Sequence, residues 1–170
     1  MASITEFAPG LYDLTLMNCK IDSMELFRFD RAIMKHPAPR AAPNAQLGDR
    51  CWQSTAHPEK CGEFCCGLFK ITSGGYCGWG TFAMTYPQGH FDLVRWASVY
   101  MRLKGLPVAE ALQIVQTGSG AWGAERRGTA EAALIDLADK LLLQSSQENK
   151  NELARHHAYL IEVSESYFSF

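Results

Sequence analysis

The chain has 170 residues, 47% of them hydrophobic and 20% charged, with a formal net charge of −2 at pH 7. That length suits one domain able to bury roughly two-thirds of its unfolded surface, and the composition excludes bulk disorder. The slightly acidic balance supplies no global positive field for phosphate backbones or anionic membranes, so a nucleic-acid contact has to be local.

The opening residues Met1 to Phe7 carry neither a basic start nor an apolar run. No secretory signal is expected from them. No stretch approaches the ~20 apolar residues of a membrane helix, and the expected compartment is the cytoplasm, where thiols stay reduced.

In chain order, Leu14, Leu16 and Ile21 alternate with polar neighbours and predict a strand over 11–21. Asp22 or Ser23 then suits the cap of a helix reaching about His36, with Met24, Phe27, Ala32 and Met34 among its apolar residues. These make an N-terminal unit, 1–36. Pro37, Pro39 and Pro43 forbid regular helix in the segment that follows, so 37–50 reads as a proline-rich linker.

Residues 51–88 hold five of the six cysteines. Within them Phe64 to Thr72 and Tyr76 to Thr85 are rich in aromatic and β-branched residues around Ser73-Gly74-Gly75. This predicts a β-hairpin that aligns Cys65 or Cys66 opposite Cys77.

From 89 to 170 the pattern turns helical. One helix carries Leu93, Trp96, Ala97, Tyr100, Met101 and Leu103 and stops at Gly105. A second starts at Leu106-Pro107 with Val108, Ala111, Leu112 and Val115 as its stripe. After a break at 118–123, Thr129 is the expected cap of a third, and a fourth is expected from about Gln147 to Val163. The predicted fold class is α+β, a single domain in which a small hairpin unit precedes three to four helices.

Two chemistries suit the cysteine window. Zinc takes four thiolate or imidazole ligands, often brought together by a hairpin. Cys51, His57, Cys61 and Cys77 are the candidate ligands, with Cys65 and Cys66 as alternates, at spacings Cys51-x5-His57, His57-x3-Cys61 and Cys61-x3-Cys65. Zinc is accordingly the candidate cofactor, in a structural role. Reduced cysteines that simply pack are the competing reading. The other chemistry is a cysteine hydrolase or transferase, with Cys77 as nucleophile, His90 as base and Asp92 as the orienting group.

His57-Pro58-Glu59-Lys60, then Phe64, Tyr76-Cys77 and Gly89-His90-Phe91-Asp92-Leu93-Val94, resemble the zinc-binding domain of bacterial and phage-type primases. Met101 to Leu106 and Glu110-Ala111-Leu112 extend the resemblance, which covers about 51–115. It implies a ribbon that contacts a template or partner without polymerising.

Adjacent His156 and His157 point about 100° apart on a helix and read as its half-buried surface. Trp96 suits core packing. Trp122, in a glycine-rich stretch beside Arg126 and Arg127, is the candidate exposed aromatic of a binding surface. The expected activity is that of a small non-enzymatic binding module, with a protein partner favoured over nucleic acid by the charge.

Overall fold

A computed structural model describes residues 9–29, 63–86, 91–118, 122–143 and 150–170. The fold is α+β. Its elements are α1 (Pro9–Asn18), β1 (Ser23–Phe29), β2 (Glu63–Ser73), β3 (Tyr76–Tyr86), α2 (Leu93–Ala97), a 3-10 segment (Ser98–Leu103), α3 (Val108–Thr117), α4 (Ala124–Leu143), α5 (Lys150–Val163) and β4 (Ser166–Ser169). The strands form one antiparallel sheet in the order β3-β2-β1-β4.

The hairpin forms where the sequence predicts it. Gly74 and Gly75 both have positive φ (56° and 84°), as a two-residue turn that matches strand twist requires. The Asp22 carboxylate accepts the Gly74 N–H at 2.8 Å. Asp22 therefore braces this turn and does not cap a helix.

The first two elements exchange identities relative to the sequence reading. Residues 9–18 are helical, with Pro9 at the tolerated first position, and the weak alternation at Leu14 and Leu16 is not strand periodicity. Ser23–Phe29 is a strand. It lies between β2 and β4 and is covered on both faces, so Met24 to Phe27 are all buried and the run lacks alternation. The remainder of the expected helix, 30–36, and the linker 37–50 lie outside the described residues.

One sheet face carries the main core. Met24, Leu26, Cys65, Phe69, Ile71 and Phe82 pack there against Trp96, Tyr100, Leu103, Val108 and the buried stripe of α4. Phe69 stacks on Tyr100 with centroids 4.4 Å apart, and Phe82 meets Trp96 at 4.7 Å. The aromatic rings supply much of this core's apolar area. Trp96 is a core residue, as its place in the helical pattern predicts. The opposite face carries Phe27, Phe29, Cys66 and Leu68, covered in part by Leu160 and Val163 of α5.

Helix α4 lies against β3 very closely. A Cβ at Gly78 would collide with the Ala133 carbonyl, and one at Gly80 with the Thr129 carbonyl. Thr129 is thus an interior residue of α4 and not its cap, because the helix begins at Ala124. Its hydroxyl lies 2.7 Å from the Glu125 carbonyl and 3.2 Å from the Thr81 carbonyl. The helices at Val108 and Lys150 agree with the expected pattern, whereas the one expected from Leu93 to Leu103 is α-helical only to Ala97 and continues as the 3-10 segment, with Met101 exposed; the sequence pattern does not predict strand β4.

Candidate functional site

The two edges of the sheet are built differently. In a two-residue hairpin the pair flanking the turn exchanges hydrogen bonds, so alternate residues of β3, Cys77, Trp79 and Thr81 among them, direct their backbone groups outward. Helix α4 meets one of these groups on each of the three residues. The Lys140 ammonium donates to the Cys77 carbonyl at 2.8 Å. The Trp79 N–H donates to the Asp136 carboxylate at 2.9 Å, and the Thr129 hydroxyl lies 3.2 Å from the Thr81 carbonyl. Lys140 and Asp136 also pair with each other at 3.0 Å. Side chains of α4 therefore cover part of the first half of the β3 edge.

The opposite edge is β4. Met24 and Phe170 exchange two backbone hydrogen bonds, each of 3.0 Å. Phe168 opposes Leu26, so the alternation leaves the N–H and C=O of Tyr167 and Ser169 pointing away from β1. None of these groups meets a backbone partner among the described residues. The strand reads Ser-Tyr-Phe-Ser, with neither charge nor proline. Edge strands are ordinarily blunted by such residues, and an uncharged open edge is a template for another strand.

A buried polar cluster holds this edge in place. Glu25 on β1 accepts from Lys70 Nζ on β2 at 2.7 Å and from the Tyr167 hydroxyl on β4 at 2.7 Å. His157 Nε2 on α5 lies 2.5 Å from the same Glu25 oxygen that Tyr167 engages. Burial alone would push the Glu25 carboxyl up, but the donors Lys70, Tyr167 and His157 outweigh it and hold the group below the ordinary carboxylate range. The carboxylate is then an acceptor, which assigns the proton to His157 Nε2. The Tyr167 hydroxyl is raised by burial and by its donation to Glu25. Phe27 lies under both rings, 6.0 Å from His157 and 5.2 Å from Tyr167. Lys70 also sits 5.7 Å from the Trp79 ring. Four elements are tied at one carboxylate.

The sequence-predicted site residues fall elsewhere. Cys51, His57, Cys61 and His90 lie outside the described residues. Cys65 and Cys66 are successive strand residues and face opposite sides of the sheet, Cys65 in the main core and Cys66 in the second. The expected alignment with Cys77 does not occur: Cys77 opposes Thr72, whereas Cys65 opposes Met84 and Cys66 opposes Ala83. The two-residue turn fixes that register.

Burial pushes the Cys65 thiol up to about 11, and nearby Arg28 offsets this only in part. Cys66 donates to the Phe29 carbonyl at 3.7 Å, and Cys77 lies 3.8 Å from the Thr72 hydroxyl. Among the described residues, no three His, Cys, Asp or Glu side chains group to hold a metal ion.

Trp122 is not an exposed aromatic. It is 4% exposed and meets Tyr100 edge-on at 5.5 Å. Its glycine-rich surroundings suggest solvent, but the ring completes the aromatic core. Arg126 is half-buried, 5.7 Å from the Trp96 ring, and reaches the Trp122 carbonyl at 3.5 Å. Arg127 alone of the three is exposed.

Sequence reasoning missed Glu25, Lys70 and Tyr167. An acidic and a basic residue inside otherwise apolar strand runs was the available signal, since an unpaired charge there is costly. Among the described residues no helix is long and apolar enough to cross a membrane. Comparison with protein-family models, with curated proteins and with solved structures returns no match.

Proposed function

We propose that this chain is a non-enzymatic protein-binding module that takes up an extended strand of its partner along the outward edge of β4. The observation that carries this reading is the difference between the two edges. Side chains of α4 take the Cys77 carbonyl and the Trp79 N–H of β3 and lie beside the Thr81 carbonyl, whereas Tyr167 and Ser169 direct their backbone groups outward from an uncharged strand. Main-chain hydrogen bonds supply the affinity in strand addition, and alternate side chains supply selectivity.

The packing of Cys65, Cys66 and Cys77 in sheet faces supports a structural role for these thiols, against a nucleophile at Cys77. A structural zinc remains part of the proposal on the spacing of Cys51, His57 and Cys61; Cys65 and Cys66, packed as thiols in opposite sheet faces, leave the set of alternates. Cys77 leaves the ligand set as well. Its partner Thr72 lies nine residues along β2 from Glu63, about 30 Å at strand rise, so Cys77 occupies the other end of the hairpin from the strand start that follows Cys61. The primase-like reading keeps its partner-contacting role, with protein favoured over nucleic acid by the net charge of −2.

Amide hydrogen exchange tests strand uptake. An uncharged peptide of alternating Thr and Val, added to chain dilute enough to be monomeric, should slow exchange at Tyr167 and Ser169. Unchanged exchange at both amides, with slowing elsewhere or nowhere, would remove the reading.

A further inference from the structure

We propose, building on the strand-uptake reading, that the strand received at this edge is β4 of a second copy, so that two chains form one continuous eight-stranded antiparallel sheet about a two-fold axis. The strand is its own complement. The groups available for pairing belong to Tyr167 and Ser169, the residues on either side of Phe168. In an antiparallel pairing centred on Phe168, Tyr167 of each copy exchanges two hydrogen bonds with Ser169 of the other. All four outward N–H and C=O groups of each strand segment are then used.

That register places Phe168 directly opposite its own counterpart, in the non-hydrogen-bonded type of pair, where side chains approach most closely. Phe168 is half-buried and already lies 5.0 Å from Phe170 in the same chain. The two-fold brings two such ring pairs together over the axis and covers their exposed portions. On the other face, the tyrosine hydroxyl stays on Glu25, so pairing leaves the polar cluster untouched. The strand itself carries no charge to repel its copy. The neighbouring Glu165 is engaged by Arg28 at 3.2 Å. Closed two-fold pairing of an isologous surface is also the commonest way for a chain to meet itself, and it leaves no further β4 edge to propagate a filament.

The test is mass by light scattering on the full chain over a wide concentration range, with Ser169→Pro as the principal variant. Proline there removes an outward donor and leaves the ladder to β1, which uses Phe168 and Phe170, intact. Circular dichroism and thermal melting check the fold of every variant. The wild type should reach twice the 18.9 kDa of one chain. Folded Ser169→Pro should associate at least about tenfold more weakly, since both copies lose a bond. Phe168→Lys and Phe168→Glu should each be monomeric alone and dimerise when mixed, which a merely misfolded edge would not do.

A wild type that is monomeric throughout overturns the proposal, as does a Ser169→Pro variant as dimeric as the wild type. A monomer whose Tyr167 and Ser169 amides are already protected also overturns it, because the edge is then occupied within the chain. A monomer that gains protection at these amides with the Thr/Val peptide overturns only the second copy as partner and leaves strand uptake standing.

Discussion

Lys70 Nζ stands 2.7 Å from Glu25 Oε2 across directly opposed positions of β1 and β2, with the two side chains only 8% and 11% exposed. A buried ion pair of this kind adds little over well-packed apolar residues, because desolvation offsets most of the attraction. Its consequence lies in what happens when one partner is lost.

Glu25→Ala should destabilise the fold by about 3–5 kcal/mol, since it leaves the Lys70 charge buried and also releases Tyr167 and His157. Urea unfolding measures the loss. Hydrogen exchange should show β4 loosened more than the β2–β3 hairpin, because Tyr167 and His157 are the links from Glu25 to the C-terminal elements. A uniform loss across the sheet would contradict this arrangement.

The same carboxylate gives stability an acid limb. Its folded pKa lies below the ordinary 4.5, so the unfolded chain binds a proton more readily than the folded one. The contribution is fully present above 4.5 and is lost as pH falls below 4.5 through the folded value. Glu25→Gln should be less stable than the wild type at pH 7 and should lose less stability between pH 5 and pH 3. Parallel stability curves for the two proteins would show that Glu25 carries none of the acid limb.

Gly78→Ala and Gly80→Ala should each cost at least about 2 kcal/mol. The added methyl meets helix backbone, which cannot rotate away as a side chain could, so α4 must move off β3. Gly128→Ala, with open space around the new methyl, is the control. It lies inside α4, where alanine is the better helix former, and should leave stability unchanged or raise it by up to about 1 kcal/mol.

Native alkylation should order the described thiols by access. Cys19 is half-buried, whereas Cys65, Cys66 and Cys77 are buried, so Cys19 should react with iodoacetamide first. Cys65, at about 11, holds only about a thousandth of its thiol as thiolate at pH 8. Mass spectrometry of peptides after timed quenching gives the ranking, and rapid modification of Cys77 would restore the nucleophile reading.

Zinc content separates the two ends of the hairpin. Cys61→Ser should release zinc and lower the melting temperature, because structural zinc contributes directly to folding. Cys77→Ser should retain the metal. Equal zinc content in Cys61→Ser and the parent would remove zinc from the proposed function.

Local chemistry determined much of this fold from the sequence. The Ser73-Gly74-Gly75 turn between β-rich runs, the Pro107 start and the leucine and alanine stripes of α3 and α4 are each legible because the signal and the structure lie within a few residues of each other. Burial on both faces of β1 was decided only when β2, β4, α4 and α5 came together, so its pattern lacks the alternation that marks a strand. Register was within reach of the sequence: counting outward from the two-residue Gly74-Gly75 turn sets Cys77 opposite Thr72 and parts it from Cys65 and Cys66, a count that the expected cysteine alignment overlooks. The Glu25 cluster joins residues as much as 142 positions apart, and the open edge exists only because a short C-terminal strand found β1. No window of sequence contains those relationships, because hydrogen-bond direction and burial are properties of neighbours in space.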